Sequence, residues 1–235
     1  MNQFYVILPK MERLIALDTE TTGLEISAGH RIIEVAGVEI IDGEKTNNEF
    51  HTYIQPNKLV GESENIHGIT DTQLIGEPKF NQISDDLLSF IKGATLVIHN
   101  APFDLGFLNN ELKLAGIKDS IESFCNKDKP FIDTLEEDKK NNPKQRHSLD
   151  ALCRRYEVDD SSRIKHGALI DSRILADVYI EMQKGQDELG FETANTESQK
   201  NDPSLIKRVK ENRDKIKVIY ANKDELEAHE NYFQN

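Results

Sequence analysis

The sequence predicts an α/β fold, a mixed five-stranded sheet flanked by helices, and three observations carry that prediction. Two runs rich in apolar and β-branched residues, 13–18 and 30–41, precede the hairpin dipeptide Asp42-Gly43, so the chain opens with antiparallel strands. Beyond residue 55, short apolar runs alternate with stretches of helical periodicity, the pattern that lays further strands under helices. The 235 residues are 37% hydrophobic, which supports a globular core, and no apolar run approaches the length of a membrane span.

Each element follows from local signals. Leu14 to Leu17 are apolar and run into Asp18, a buried strand. Residues 30–41 (HRIIEVAGVEII) form the second strand, and residues 49–54 pair back until Pro56 ends them. A loop over 55–65 leads to His67-Gly68-Ile69 and a short helix beginning near Thr70. Phe80, Ile83, Leu87, Leu88 and Ile91 fall at helical spacing, and Gly93 caps that helix. Residues 94–98 are a short strand running into His99-Asn100-Ala101-Pro102-Phe103-Asp104. Asn100 suits an N-cap and Pro102 a first turn, so a helix to about Ala115 begins with Asp104 near its positive end. Residues 131–133 read as a fifth strand and 135–142 as a charged, exposed segment. An amphipathic helix covers 148–156, and a longer one covers 167–183 with Ile170, Ile174, Leu175, Val178 and Met182 on its apolar face. This is a ribonuclease-H-like order of elements.

The folded domain is expected over 1–185, with a flexible linker and docking tail over 186–235. Residues 186–202 are acidic, polar and turn-rich. Residues 204–217 then gather six Lys and Arg against two acids, ahead of Val218-Ile219-Tyr220. Such a tail either orders on a partner or folds back on the core, and its few apolar residues favour the partner. Residues 1–10 lack a basic n-region and a cleavage site, and read as a leader strand or a loose extension. Cys125 and Cys153 are far apart, which suits buried thiols in a reducing cytoplasm. The net charge of −13 argues against autonomous binding to nucleic acid. It leaves room for an enzyme that grips nucleic acid through metal ions or is delivered by a partner.

The chemistry gathers on four acids and one histidine. Asp18 and Glu20 lie two apart on a strand and share a face. Carboxylates held together repel unless a cation lies between them, and clustered hard oxygens suit Mg²⁺ or Mn²⁺. Asp104, His166 and Asp171 complete the set. His166 and Asp171 are five residues apart, about 140° past a full helical turn, so they cannot share one helix face. Gly167 resolves this by leaving His166 in the loop while Asp171 occupies the first turns.

In this order and at these intervals, LDTETTG, HNAPFD and HGALID resemble the three motifs of the DEDDh-type 3′→5′ exonucleases. The likeness covers nearly the whole chain from Met11 and is strongest toward the proofreading members that work in bacterial replicases. It implies two divalent metal ions, Mg²⁺ or Mn²⁺, bridged by Asp18. Glu20 and Asp171 would complete the site of the attacking water, Asp104 would support the second, and His166 would be the general base. It also implies that the turn Thr19, Glu20, Thr21, Thr22 and Gly23, with His67 and Asn100, meets the 3′-terminal nucleotide of a single-stranded or frayed DNA end. By themselves His67 reads equally as a loop contact, Asn100 as a helix cap and Phe103 as core. His30, His51, His99, His147 and His229 show no acid partners.

The same likeness implies partners: the catalytic (alpha) subunit of a DNA polymerase through about 204–235, and a sliding clamp through 186–191, with Gln186, Leu189 and Phe191 as anchors. A small stabilising subunit is a third. An RNA-trimming exonuclease of the same fold and a non-catalytic stabilising subunit are the alternatives. The stretch 125–146 is more charged than the family leads one to expect, and its path is open.

Overall fold

The computed structural model describes residues 12–196 other than 162 and 164, with side chains as far as Lys184. The two ends of the chain, including residues 1–10 and the tail over 204–235, lie outside the described residues. Five strands, β1 (Arg13–Thr21), β2 (Ile32–Ile41), β3 (Glu44–Tyr53), β4 (Thr95–Ile98) and β5 (Phe131–Asp133), form one sheet in the order β3-β2-β1-β4-β5. The β1–β2 and β2–β3 pairs are antiparallel, while β4 joins β1, and β5 joins β4, in parallel. The mixed five-stranded sheet expected from the sequence is therefore present.

Among the described residues six α-helices accompany it: α1 (Glu64–His67), α2 (Phe80–Ile91), α3 (Ala101–Leu114), α4 (Thr134–Asn141), α5 (Leu149–Arg155) and α6 (Ala168–Thr196). Strand alternation sorts the core into two layers. Ile15 and Leu17 of β1 face α2 and α3, packing with Leu87, Ile91, Leu105 and Leu108. Leu14 and Ala16 face the other way and pack with Leu152 of α5 and Leu175 and Val178 of α6. Where β2 passes beneath α2, Gly37 makes room for an aromatic ring. A Cβ there would stand 2.9 Å from the Phe90 ring and 3.0 Å from Ile15 Cγ2. Gly37→Val is expected to destabilise the fold by about 1–3 kcal/mol through overpacking, read as a lower urea midpoint at unchanged slope.

Four expectations are corrected. β3 begins at Glu44, not residue 49, because Asp42 and Gly43 both take positive φ (52° and 78°) and close the hairpin at once. An edge strand also tolerates the polar run that follows. The short helix lies at Glu64–His67, ahead of Thr70, and Gly68 at φ 78° ends it; residues 71–76 are turns. The segment read as exposed is helix α4, pinned by Asp138, whose side chain is 0% exposed. Finally, α6 continues as helix through Thr196, past residue 183 and into the stretch expected to be a linker. No helix among the described residues is long and apolar enough to cross a membrane.

Candidate active site

The site forms at the carboxyl ends of the parallel pair β1 and β4, where α/β sheets place ligands. Alternation along β1 continues past the core. Asp18 and Glu20 extend the Leu14–Ala16 face toward α6, and Thr19 extends the opposite face toward α3. There the Thr19 hydroxyl donates to Asp104 Oδ1 at 2.6 Å, tying the first acidic segment to the second. A register shift between Glu20 and Thr21 bulges the strand, which stays on β2 with Thr21 opposite Ile32 and the Thr22 N–H donating to Arg31 O at 2.9 Å.

Two further acids set the helix ends that carry the remaining groups. Asp133, at the end of β5, accepts from the backbone N–H groups of Asn100 and Ala101 at 3.1 Å each, and from Leu135 N–H at 3.0 Å. One carboxylate thus caps both α3 and α4. Glu34 of β2 accepts from Ala168 N–H at 2.9 Å, and His51 Nε2 contacts its other oxygen at 2.7 Å. Glu34 therefore fixes where α6 starts, leaving His166 on the loop and Asp171 in the first turn. Sequence reasoning missed both. The available signal at Glu34 was an acid among the apolar residues of a buried strand.

Asp18, Glu20, Asp104, His166 and Asp171 all line one cleft of about 610 Å³. Glu20, His166 and Asp171 each bring a ligand atom within 4.8 Å of the other two. Asp18 and Asp104 stand outside that tight trio but share its field. Burial pushes the Asp18 carboxyl well above the ordinary value, and Asp104, Asp171 and Glu20 push it further. Glu20 is pushed up to about 8, by burial first and then by Asp171, Glu34 and Asp104. Asp104 rises to about 7 through burial, against the pull of the Thr19 hydrogen bond. This is a cluster of hard oxygen donors whose negative charge is under-compensated. A divalent cation is the partner that such a donor set fits.

A second cleft of about 640 Å³ adjoins the first, and Thr19, Glu20 and Phe103 line both. Its wall includes the Thr21–Gly23 turn, Leu24, Val60, Ile66 and His67. Gly23 is required by close approach, since a Cβ would lie 2.4 Å from the His30 ring. His67 is buried, and its Nδ1 accepts from Ile69 N–H at 3.0 Å. The ring proton therefore sits on Nε2, which has no partner among the described residues.

Other expectations divide. Asn100 lines the acid cleft but is no cap: its backbone is left-handed, at φ 70°, and Asp133 caps in its place. Phe103 is half-buried, packing on Phe107 at 4.9 Å between ring centres while facing both clefts. Two histidines do have acid partners, His51 with Glu34 and His147 with Asp138, because the fold brings together residues 17 and 9 positions apart. His30 and His99 meet the hydroxyls of Thr22 and Thr134. His229 lies outside the described residues, as do the side chains of Gln186, Leu189 and Phe191. Arg163, unforeseen, reaches into the acid cleft and pairs with Asp171 through Nε at 2.6 Å and Nη2 at 2.7 Å.

Comparison with known proteins agrees with this geometry. The Exonuclease family (RNase_T) matches residues 15–179. DNA polymerase III subunit epsilon of Escherichia coli (strain K12) is 42% identical over 226 residues, spanning 93% of this chain and 90% of that one. The subunit from Buchnera aphidicola subsp. Schizaphis graminum is 41% identical over 230 residues, 95% of this chain and 96% of that one. Among solved structures, exonuclease X in complex with 5′ overhanging duplex DNA shares the fold, with a TM-score of 0.54 and 24% identity over 74% of this chain and 92% of that one. So does the nuclease domain of 3′hExo, a DEDDh family member bound to rAMP, with a TM-score of 0.61 and 20% identity over 75% of this chain and 94% of that one. An exonuclease domain over most of the length, with identities above 40% across nearly whole chains, shows that this chain belongs to the DNA polymerase III epsilon subunits.

Proposed function

We propose that this chain is a metal-dependent proofreading exonuclease that removes mismatched nucleotides, as monophosphates, from single-stranded or frayed 3′ ends of DNA. The observation that carries the reading is the convergence of three sequence-distant segments, 18–20, 104 and 166–171, on a single acidic cleft. Asp18, Glu20, Asp104 and Asp171 would hold two divalent ions, Mg²⁺ or Mn²⁺, which supply charge neutralisation at the phosphoryl group when bound. His166 is half exposed, with its side chain at 50%, and sits on a loop beside Asp171. It is suited to take the proton of the attacking water. The adjoining cleft is of a size and character to receive the terminal nucleotide. Its apolar lining, Val60 and Ile66 among it, would suit the base.

The epsilon relatives support a DNA substrate over RNA and a place beside a DNA polymerase in the cytoplasm. Within that assembly we assign the exonuclease domain to 1–185 and docking on the polymerase catalytic subunit to about 204–235. The QDELGF stretch, 186–191, is the candidate contact for a sliding clamp. A small stabilising subunit completes the expected partners.

The test is degradation of a 3′-mismatched primer by the full chain with Mg²⁺ or Mn²⁺, beside Asp18→Ala and His166→Ala. The parent is expected to release monophosphates, His166→Ala to lose on the order of 10²–10³-fold, and Asp18→Ala to be inactive. An inert parent with both metals, or full activity in Asp18→Ala, overturns the reading.

A further inference from the structure

We propose that Arg163 is a phosphate-binding residue for the incoming strand, held on Asp171 until a divalent ion claims that carboxylate. The proposal rests on the acids being metal ligands, as argued above, and adds a role for a residue on the loop between α5 and α6.

The guanidinium uses its donors in three directions. Nε and Nη2 bond to the two oxygens of Asp171 at 2.6 and 2.7 Å, and Nη1 bonds to Asp150 at the start of α5. Nη2 also lies 2.8 Å from His166 Nδ1. The Arg163 side chain is only 9% exposed, so this is an enclosed arrangement rather than a loose surface pair.

Its consequence for the site is specific. Arginine is a donor only and keeps its charge at any working pH. His166 Nδ1 lies between this donor and Asp171 Oδ2, 3.2 Å away, so the imidazole is held by the same ion pair. Both oxygens of Asp171 are likewise engaged. A divalent ion held at Asp171 would compete directly with the guanidinium.

The displaced guanidinium has an obvious next partner. Among the described residues lining the acid cleft, Arg163 is the one permanently cationic side chain, set among Asp18, Glu20, Asp104, Asp150 and Asp171. Its charge is opposite to that of the incoming strand, whereas the acids around it repel a strand unless cations neutralise them. The planar fork that binds Asp171 in bidentate fashion matches a phosphodiester equally well. Asp150, with half of its side chain exposed, remains as an anchor near the cleft mouth. Metal binding and strand binding are then linked through one residue, each favouring the other.

The experiment compares the full-length parent, Arg163→Gln and Arg163→Lys in two binding measurements. Mn²⁺ binding is read by the electron paramagnetic resonance signal of the free ion. Binding of a single-stranded oligonucleotide with a 3′-terminal phosphorothioate is read by anisotropy in saturating Mn²⁺ over a salt series. Arg163→Gln is expected to bind Mn²⁺ about 5–10-fold more tightly, because its competitor is gone. It should bind the oligonucleotide about tenfold more weakly, with a salt slope shallower by about one. Arg163→Lys, which keeps the charge and loses the fork, should lie between the two in both measurements, and it carries the test if the Gln variant does not fold. Weaker or unchanged Mn²⁺ binding in Arg163→Gln, as a merely structural arginine would give, overturns the proposal, and so does unchanged oligonucleotide affinity. A Lys variant matching the parent in both measurements overturns it as well. A parent that binds no Mn²⁺ overturns the metal-site reading itself, and this proposal with it.

Discussion

Asp18→Asn is expected to abolish hydrolysis, by on the order of 10³-fold or more, while making the metal-free protein more stable. The first effect follows because, on the proposed function, several kcal/mol of charge stabilisation in the transition state would depend on the acids holding the metal ions. The second follows from the field in the cleft. Asp18 stands among Asp104, Asp171 and Glu20, each of which opposes its ionisation, and burial opposes it more strongly still. Replacing the carboxylate by an amide removes that repulsion and leaves the shape unchanged. A gain of about 1–2 kcal/mol at pH 8, roughly 3–6 °C in melting temperature, is the expected size. Activity falling while stability rises is the mark of a site built for a ligand.

The pH dependence has a defined sign. Glu20 and Asp104 titrate near 8 and 7 in the folded chain, whereas unfolded carboxyls titrate near 4. The metal-free fold therefore holds protons that the unfolded chain has released. The stability this contributes is fully present below the unfolded values and is lost as pH rises through 7 to 8. Melting temperature of the metal-free parent should fall between pH 6 and pH 9, and should fall less steeply in Asp18→Asn. Divalent ions bound at these acids would replace those protons, so the melting-temperature increment from Mn²⁺ should be larger at pH 8 than at pH 6. An increment that is flat or larger at pH 6, or an Asp18→Asn variant less stable than its parent at pH 8, contradicts this account.

How much of this was legible in the sequence depended on whether the signal was local. Asp18 and Glu20 were legible because strand alternation is rigid: two residues apart on a strand means one face. Asp104 was legible through Pro102 and the helix start, and the His166–Asp171 offset through Gly167. Asn100 misled because the N-cap preference is a preference for short polar side chains, and Asp133 from another strand supplied the same service with both oxygens. Arg163 had no local signal at all. It stands in a polar loop among residues of no particular periodicity, and only the closure of α6 against β1 and β2 shows which acid it meets. Helix α4 was read as exposed because its composition is charged, and composition does not reveal that one of its acids points inward.

That acid, Asp138, carries the largest expected effect on stability. Its side chain is fully buried and receives Arg155 Nη1, His147 Nδ1 at 2.6 Å and Asn142 Nδ2 at 2.8 Å. Burial alone would raise its carboxyl, but these donors, Arg155 foremost, hold it below the ordinary value. The network joins α4 to α5 and to the loop between them, and it orients His147 against the acid cleft. Asp138→Ala leaves a guanidinium and an imidazole in a protein interior without their anion, a loss of about 3–5 kcal/mol. Asp138→Asn keeps one acceptor oxygen and should lose less. The gap between parent and Asp138→Ala should persist from neutral pH down to the ordinary carboxylate range and narrow only below it, since a depressed carboxyl contributes above its unfolded value and stops contributing once protonated. Chemical denaturation at pH 7 and at pH 3.5 measures both quantities. A loss under about 1 kcal/mol at pH 7 would mean that α4 is held by its few apolar contacts after all. Because His147 shares the cleft with Asp171 and His166, the same variant should lower exonuclease activity at temperatures where it is still folded, though far less than Asp18→Asn does. Stability of the α4–α5 wall and competence of the cleft thus meet in one buried carboxylate.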